Sequence, residues 1–573
     1  MTVDPTTRAV VHGALQQVVE EMDAVFVASA FSPVICDAWD RASGIYDGRS
    51  GEVIAQGETG LPLFIATMQF TVQAVMASTS ANNLAEGDIY IVNDPYAGGT
   101  HLMDVRLVAP YFHKGKPLFF AANTGHWPDI GGMAPGGWAA GATEMYQEGL
   151  RIPPLALYRR GELNREVLEL IFANIRGRSS DRRGDVQAQV AALRMGLERL
   201  GGVVDRFREE TILSCVDDFY DRAENLTRSR IASLPNGTYH AEDVLDNDGI
   251  DDRPVRIALD LTVRNDQIHF DFSDTDPATR GPVNCPYPTT VTSCAIAIKH
   301  LFPDVPINAG FLRPLSFGVP AGSLLSPRFP SPVSGSTTET PQRIIDVVLK
   351  AFVEIDPDRT LASCFSTGSN HAMAGSDPEG GSYAFINFFG GGYGGSSSGD
   401  GLTNGATLLS VARTPSLEVM EQRFPIRFHR FAVREGSAGP GTFRGGLGIE
   451  AEFELLRGEA TFNLFGDRAR FGPPGVLGGG PAAPARHTLI VEGDAWDPPR
   501  GAKVQNVQLR VGDRVVIRTP GGGGYGDPDS RDPAQVAADV GNGYLDAVAA
   551  ERDYGVVIRD GLIDEKATWE KRI

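Results

Sequence analysis

Residues 93–132 read NDPYAGGTHLMDVRLVAPYFHKGKPLFFAANTGHWPDIGG and bring His101, Asp104, His126 and Asp129 into one short stretch. Imidazoles and carboxylates that meet on one face can hold a divalent cation, or they can simply share a hydrogen bond. Spacing alone leaves both readings open. The segments DVRLVAPYF and KPLFFAANTGHW have the pattern of two strands joined at a tip, HKGK. With Gly115 at the centre, facing residues sum to 230, which sets Asp104 opposite His126 and His101 opposite Asp129. Opposed residues in an antiparallel pair point to the same face with Cβ atoms about 5 Å apart. A slip of one residue would send the partners to opposite faces. The flanking DPYAGG and DIGGMAPGG shape loops, where functional groups concentrate.

These residues need a scaffold, and the pattern supplies one. Asp4-Pro5 reads as an N-cap and first-turn proline ahead of Val11, Leu15, Val18, Val19, Met22 and Phe26, a helical face. Ile45-Tyr46 and Val53-Ile54 flank the turn-rich DGRSGE, so Asp40 stands just ahead of a strand. Residues 61–80 read as a helix, GDIYIVND as a strand, and Val186 to Phe207 mark one face of a long helix over 185–212. Downstream, HAEDVLDNDG, VRIALDLTVRNDQIHFDFSDT, TFRGGLGIEAEFELL and HTLIVEGDAW alternate like strands, TPQRIIDVVLKAFVEI reads as a helix, and a helical end spans 532–552. The expected fold is α+β and multi-domain, with antiparallel-rich sheets and long amphipathic helices. Composition shifts suggest domains at 1–230, 231–370 and a glycine-rich 371–573.

Bulk properties exclude several functions. The chain has 573 residues, 42% of them hydrophobic and 22% charged, with a net charge of −20. That charge argues against nucleic-acid binding, which rests on concentrated Lys and Arg. No stretch approaches the ~18 apolar residues of a membrane span, and the first residues lack a signal-peptide pattern, so a cytoplasmic location is expected. Five cysteines without CxxC spacing read as reduced thiols. GGGYGGSSSGDG lacks the G-K-[ST] ending of a P-loop, and FRGGLGIE lacks the strand and helix of a dinucleotide fingerprint. His371 reads as a satisfied histidine, with reach into a pocket as the alternative. Arg176, Arg178, Arg182 and Arg183 form the densest basic patch, either a solvated helix start or a surface for a partner or phosphorylated intermediate.

NDPYAGGTHLMDVRLVAPYF, GHWPDIGG, EGLRIPP, GDVQAQVAA, NAGFLRPL, ETPQRIIDVVL, RTPSLEVMEQRFP, GTFRGGLGIE and TPGGGGYGDP run in order along nearly the whole chain. Together they resemble the signature blocks of the hydantoinase B/oxoprolinase family. The resemblance implies a metal site built from Asp40, His101, Asp104 and His126. The motif around the first ligand departs from the family pattern, since CDAWDRAS stands where E-R-x-D-F-S is usual, so Asp37 competes with Asp40. Zinc, manganese, iron or cobalt suits such a nitrogen and oxygen set.

The resemblance further implies an ATP-dependent hydrolase of cyclic amides such as hydantoins, oxoproline or lactams. ATP and magnesium then belong to a hydantoinase A-type partner subunit with an actin-like ATPase fold, in a hetero-oligomer. Asp129 and Asp94 are the expected catalytic acids beside the metal, orienting an imidazole or taking a proton from water, with loop capping as the alternative. Two other functions stay open: a subunit of an ATP-dependent ketone carboxylase, and a structural subunit without chemistry.

Overall fold

Asp4 accepts hydrogen bonds from the Thr6 and Thr7 amides at 3.1 and 3.0 Å, and Pro5 fills the first turn, so the helix Pro5–Ser29 starts where the sequence signals it. The structure is a computed structural model that describes residues 4–78 and 83–572. The helix buries its apolar stripe against a second long helix, Ser179–Phe207. That second helix is not the single span expected over 185–212. Arg208 adopts a left-handed φ of 63°, which breaks the helical path, and a separate helix follows at Glu209–Ala232.

Both long helices cover one face of a seven-stranded sheet, built from β1 (Arg41–Asp47), β2 (Val53–Gln56), β3 (Ile89–Val92), β4 (Asp104–His113), β5 (Lys116–His126), β6 (Leu155–Arg159) and β7 (Glu162–Leu163). The order is β2-β1-β5-β4-β3-β6-β7, with every pairing antiparallel. Side-chain alternation sorts the residues. Ile45, Leu107, Phe119 and Ala121 join the large core under the long helices, while Tyr46, Val108, Phe120 and Ala122 face the helix Pro62–Ser78.

The β4–β5 hairpin reaches the expected register by an unexpected route. Lys114 and Gly115 both have positive φ, 49° and 78°, as a two-residue turn requires, and the pairs beside it sum to 229. A bulge between Tyr111 and Phe112 adds one residue, and from there to the open end the sum is 230. Asp104 therefore faces His126.

The helix Thr340–Ile355, as expected from its sequence, packs on a four-stranded sheet of Gly237–Leu245, Val255–Arg264, Gln267–Asp271 and Leu315–Gly318. One buried apolar cluster joins this unit to the seven-stranded sheet. Residues 370–518 build two further antiparallel sheets around a second core that includes Phe453, Phe462 and Leu489. The expected α+β architecture with antiparallel-rich sheets is what the chain forms, with Gln267–Asp271 and Leu315–Gly318 paired in parallel. The helical end is two short helices, Pro533–Gly541 and Ala547–Tyr554. Among the described residues no helix is long and apolar enough to cross a membrane.

The glycine runs form a layer in which backbone packs on backbone. Gly392 donates to the Pro520 carbonyl at 3.1 Å, Gly395 to Gly523 at 2.9 Å, Gly522 to Gly446 at 3.0 Å and Gly524 to Gly480 at 3.0 Å. A Cβ on Gly445 would lie 1.7 Å from the Gly522 carbonyl oxygen, and one on Gly522 would lie 1.9 Å from that of Tyr393. Close approach, not phosphate binding, explains why these residues are glycine.

Candidate metal centre

Three neighbouring strands end in a row of polar residues. Asp40 immediately precedes β1, and its carbonyl accepts the His126 amide at 3.1 Å, which extends the Arg41–Gly125 register by one pair. His126 ends β5 and Asp104 begins β4 directly opposite. All three occupy even-numbered positions and so share the face of Tyr46 and Phe120. His101 folds in from the turn before β4, placing Nε2 3.1 Å from Asp104 Oδ1 and its ring centroid 5.0 Å from that of His126. One ligand atom each from His101, Asp104 and His126 lies within 4.8 Å of the others. Solvent reaches at most 3% of these three residues and 8% of Asp40.

The outer ring nitrogens decide what the inner ones present. His126 Nδ1 lies 3.0 Å from the Trp127 carbonyl, and His101 Nδ1 lies 3.2 Å from the Ser334 carbonyl and 3.1 Å from Thr337 Oγ1. A carbonyl only accepts, so Nδ1 carries the hydrogen in both rings and Nε2 keeps a lone pair. His101 Nε2, His126 Nε2, Asp104 Oδ1 and Asp40 Oδ1 are all buried without a hydrogen-bond partner. The close His101–Asp104 contact lacks hydrogen-bond geometry. Three of these acceptors, from His101, Asp104 and His126, meet within 4.8 Å of one another, with Asp40 in the same cavity wall, an arrangement that is costly for protein alone and suits a divalent cation.

Electrostatics point the same way. Burial first, and then the charge of Asp104, raises the Asp40 carboxyl well above the ordinary range. Burial and the neighbouring His101 hold His126 neutral down to about 3. Burial also pushes the Asp104 carboxyl up, but His101, His126 and the Thr100 hydroxyl outweigh it and leave it below its usual value. Two buried carboxyls beside two imidazole nitrogens form an arrangement that a cation placed among them would relieve. The residues thus fit a metal by their chemistry.

A second tier orients Asp104. The Thr100 hydroxyl donates to Asp104 Oδ2 and accepts from Arg106 Nη2 at 3.2 Å. Arg106 is fully buried, and its Nη1 donates to Thr71 Oγ1 and the Gly98 carbonyl at 2.6 Å each. Burial pushes that guanidinium down to about 10. Arg106 lies two residues after Asp104 on the same strand face, a relation legible in the alternation but not singled out from it. The sequence reading also missed Glu148, which accepts the Val333 amide at 2.9 Å and the Ser334 amide at 2.6 Å and so fixes the carbonyl behind His101. Burial pushes this carboxyl up to about 8.

The cluster forms one end of a cavity of about 580 Å³. Trp138 stands beside both imidazoles, 5.6 Å from the His126 centroid and 6.4 Å from that of His101. Leu61 and Phe64 wall the cavity from the N-terminal half, and Phe388 with the segment 402–417 closes it from the glycine-rich half. Arg413 is the one cationic residue in that lining. Its amide donates to the Ala38 carbonyl at 2.8 Å, and its guanidinium lies 3.6 Å from the Trp39 ring centroid, next to Asp40.

The model of the hydantoinase B/oxoprolinase family matches residues 4–528. The chain belongs to this family. An uncharacterized protein of Methanocaldococcus jannaschii is 35% identical over 578 residues, covering all of both chains. The caprolactamase subunit beta of Pseudomonas jessenii is 31% identical over 594 residues, covering 100% of this chain and 99% of that one. The crystal structure of ATP-dependent caprolactamase from Pseudomonas jessenii superposes with a TM-score of 0.93 at 29% identity, covering all of both chains. Acetone carboxylase in its nucleotide-free structure shares the fold, with a TM-score of 0.91 at 20% identity over 99% of this chain and 82% of that one.

Within this family fold, the remaining expected residues take other positions. His101 does not face Asp129, because strand pairing stops at Asp104–His126 and both chains then turn away. Asp129 accepts from the amides of Gly131 and Arg176 at 2.8 Å each, from the Gly136 amide at 3.1 Å and from Arg176 Nη1 at 3.1 Å. Asp94 caps the short helix Pro95–Ala97 through the Tyr96 amide at 3.0 Å and lies 3.7 Å from Arg151 Nε. Neither lines the cavity. Asp37 ends the helix Pro33–Cys36 and is also absent from the lining, which includes Asp40.

His371 stacks among Phe389, Phe453 and Phe462 in the second core. The basic patch is built into the fold. Arg176 binds Asp129, Arg182 donates to the Phe172 and Ile175 carbonyls at 2.8 and 2.6 Å, and Arg183 pairs with Glu169.

Proposed function

We propose that this chain is the metal-bearing hydrolytic subunit of an ATP-dependent cyclic amide hydrolase. The observation that carries the reading is the meeting of three unpartnered acceptor atoms, from His101, Asp104 and His126, within 4.8 Å of one another, with a fourth on Asp40 in the same wall of a cavity large enough for a small ring. Relatives named for lactam and hydantoin hydrolysis support it. A cyclic amide resists water because resonance weakens its carbonyl carbon as an electrophile and leaves nitrogen a poor leaving group. Phosphorylation of the amide oxygen by ATP, on a partner ATPase subunit of hydantoinase A type, removes that resonance. For a lactam the balance is ring, ATP and two waters giving amino acid, ADP and phosphate.

A zinc, manganese, iron or cobalt ion held by the four residues would supply Lewis acidity and bring the pKa of water towards neutrality. The chain's own residues do the rest. The two Nε2 lone pairs and the two carboxylates set the ligand charge, while Thr100 and Arg106 keep Asp104 Oδ1 turned inward. Glu148 fixes the carbonyl behind His101, and Trp138 and Phe64 present apolar surface that limits stray water. Asp129 and Asp94 hold the loops on either side.

Reconstitution tests the reading. Coexpressed with its ATPase partner, the chain is expected to open a lactam or hydantoin ring with phosphate release and to contain near-stoichiometric transition metal. Alone, it should neither bind nor hydrolyse ATP. A complex that stays active after complete chelation would remove the metal from the mechanism. Substrate-driven ATP cleavage that requires bicarbonate would make the complex a carboxylase instead.

A further inference from the structure

A carboxamide with no place in the metal centre lies on another wall of the cavity. Asn370 is 1% exposed and lines the cavity together with Gly368, Thr337 and Thr338. The backbone leading to it is constrained, since Ser366 and Ser369 both sit in the left-handed region at φ 45° and 42°. Such conformations cost about 1–3 kcal/mol each in non-glycine residues and persist where surrounding structure enforces them. Between them Gly368 makes room for the carboxamide, because a Cβ there would lie 2.5 Å from Asn370 Oδ1 and 2.6 Å from Nδ2.

Hydrogen bonds fix which end of the carboxamide is free. Nδ2 donates to Thr338 Oγ1 at 2.8 Å and to Glu339 Oε1 at 3.4 Å, which uses both of its hydrogens. Glu339 is fully buried, and the same Oε1 accepts the Gly368 amide at 3.3 Å, so it braces backbone and side chain together. Among the described residues no donor is hydrogen-bonded to Asn370 Oδ1. Thr338 adjoins Thr337, whose hydroxyl touches His101 Nδ1 at 3.1 Å. The free carbonyl oxygen is therefore tied, through one pair of adjacent threonines, to the support of a proposed metal ligand.

We infer that Asn370 Oδ1 accepts the ring N–H of the substrate, so that this site selects cyclic amides whose ring nitrogen bears a hydrogen. The inference rests on the proposed function. Asn370 is the binding residue, and Thr338 and Glu339 are positioning residues. An N-alkylated ring would press an alkyl group against Oδ1 and leave that buried acceptor unpaired, the loss that sites built for hydrogen bonding use to reject analogues.

Ligand-observed NMR titration of the full chain with 2-pyrrolidinone and N-methyl-2-pyrrolidinone tests this without any need for turnover. The wild type is expected to bind the N–H ring roughly five- to tenfold more tightly, the worth of one neutral hydrogen bond. Asn370→Ala should reduce that preference to within twofold while leaving the N-methyl affinity unchanged. Thr338→Val, a smaller change, should lower the preference part-way, and Glu339→Gln, which still offers an oxygen to Nδ2, should keep it. A wild type without preference, a preference retained in Asn370→Ala, or equal weakening of both ligands would each overturn the inference. Failure of the proposed function would appear elsewhere, as absence of ring opening in the reconstituted complex.

Discussion

The β4–β5 hairpin and the glycine layer achieve close packing by opposite means. The hairpin is held by backbone pairing along its length, and its side chains project from a register that does not depend on them. Exchange of His126 or Asp104 for another residue is therefore expected to leave the ladder in place. The glycine layer has no side chains to exchange, and its backbone segments approach until a single Cβ meets a carbonyl oxygen. In the first region a substitution should act on the proposed chemistry. In the second it should act on the fold.

The harshest break should come at Gly445→Ala, whose Cβ would lie 1.7 Å from the Gly522 carbonyl oxygen with no rotamer to relieve it. A loss of about 4 kcal/mol or more is expected, at the extreme of single substitutions, read as a lowered urea midpoint or no folded protein. A wild-type midpoint would show that the layer yields. His126→Ala should leave the chain folded and partner-bound while ring opening falls by several powers of ten, about 4 kcal/mol in barrier, and ATP cleavage continues. Counting phosphate and ring-opened product in one reaction measures both, and near-wild-type product formation would reduce the Asp104–His126 pair to structure.

A smaller effect concerns acid. Burial first, then Arg434, holds His487 neutral down to about 3, and neither of its ring nitrogens has a partner. The unfolded chain takes up that proton near 6.5, so the residue contributes no loss above 6.5 and a growing loss of stability as pH falls from there towards 3. Going from pH 7 to pH 5, His487→Leu should therefore lose about 2 kcal/mol less stability than the wild type in urea titrations. Equal losses would mean that the folded protein accommodates the charge. At the mild end stands Gly399→Ala, in the same glycine-rich half but with nothing within 4 Å of a built Cβ. It should change stability by less than about 0.5 kcal/mol. A cost like that of Gly445→Ala would mean that composition, not contact, explains the layer.

Legibility in the sequence follows the same contrast. Caps and periodicity disclosed Pro5–Ser29 and Thr340–Ile355, because their causes lie within a few residues. Asp40 ahead of β1 and Asp104 opposite His126 were readable from alternation. The register nevertheless depends on the bulge at Tyr111–Phe112 offsetting a two-residue turn, which no local pattern announced. Asp129 went astray because its partners, Gly131, Gly136 and Arg176, include a residue 47 positions away. Glu148 acts on Ser334 from 186 positions away, and each glycine of the layer answers to a carbonyl in another run. The proposed set of four metal ligands came from family resemblance, since spacing alone had left an ordinary hydrogen-bonded pair in contention.

One contrast in how the cavity is assembled bears on how such a protein changes over generations. Asp104 and His126 belong to two strands of one sheet and Asp40 immediately precedes a third, each strand fastened to neighbours on both sides. Much of the facing wall is a single run, 402–416, without helix or strand. A short exchange of coding sequence can therefore reshape this face of the cavity while leaving the sheet untouched. On the proposed function, inheritance of the chemistry and drift of the accepted ring would be separable, and a chimaera carrying a relative's 402–416 segment is the direct way to move one without the other.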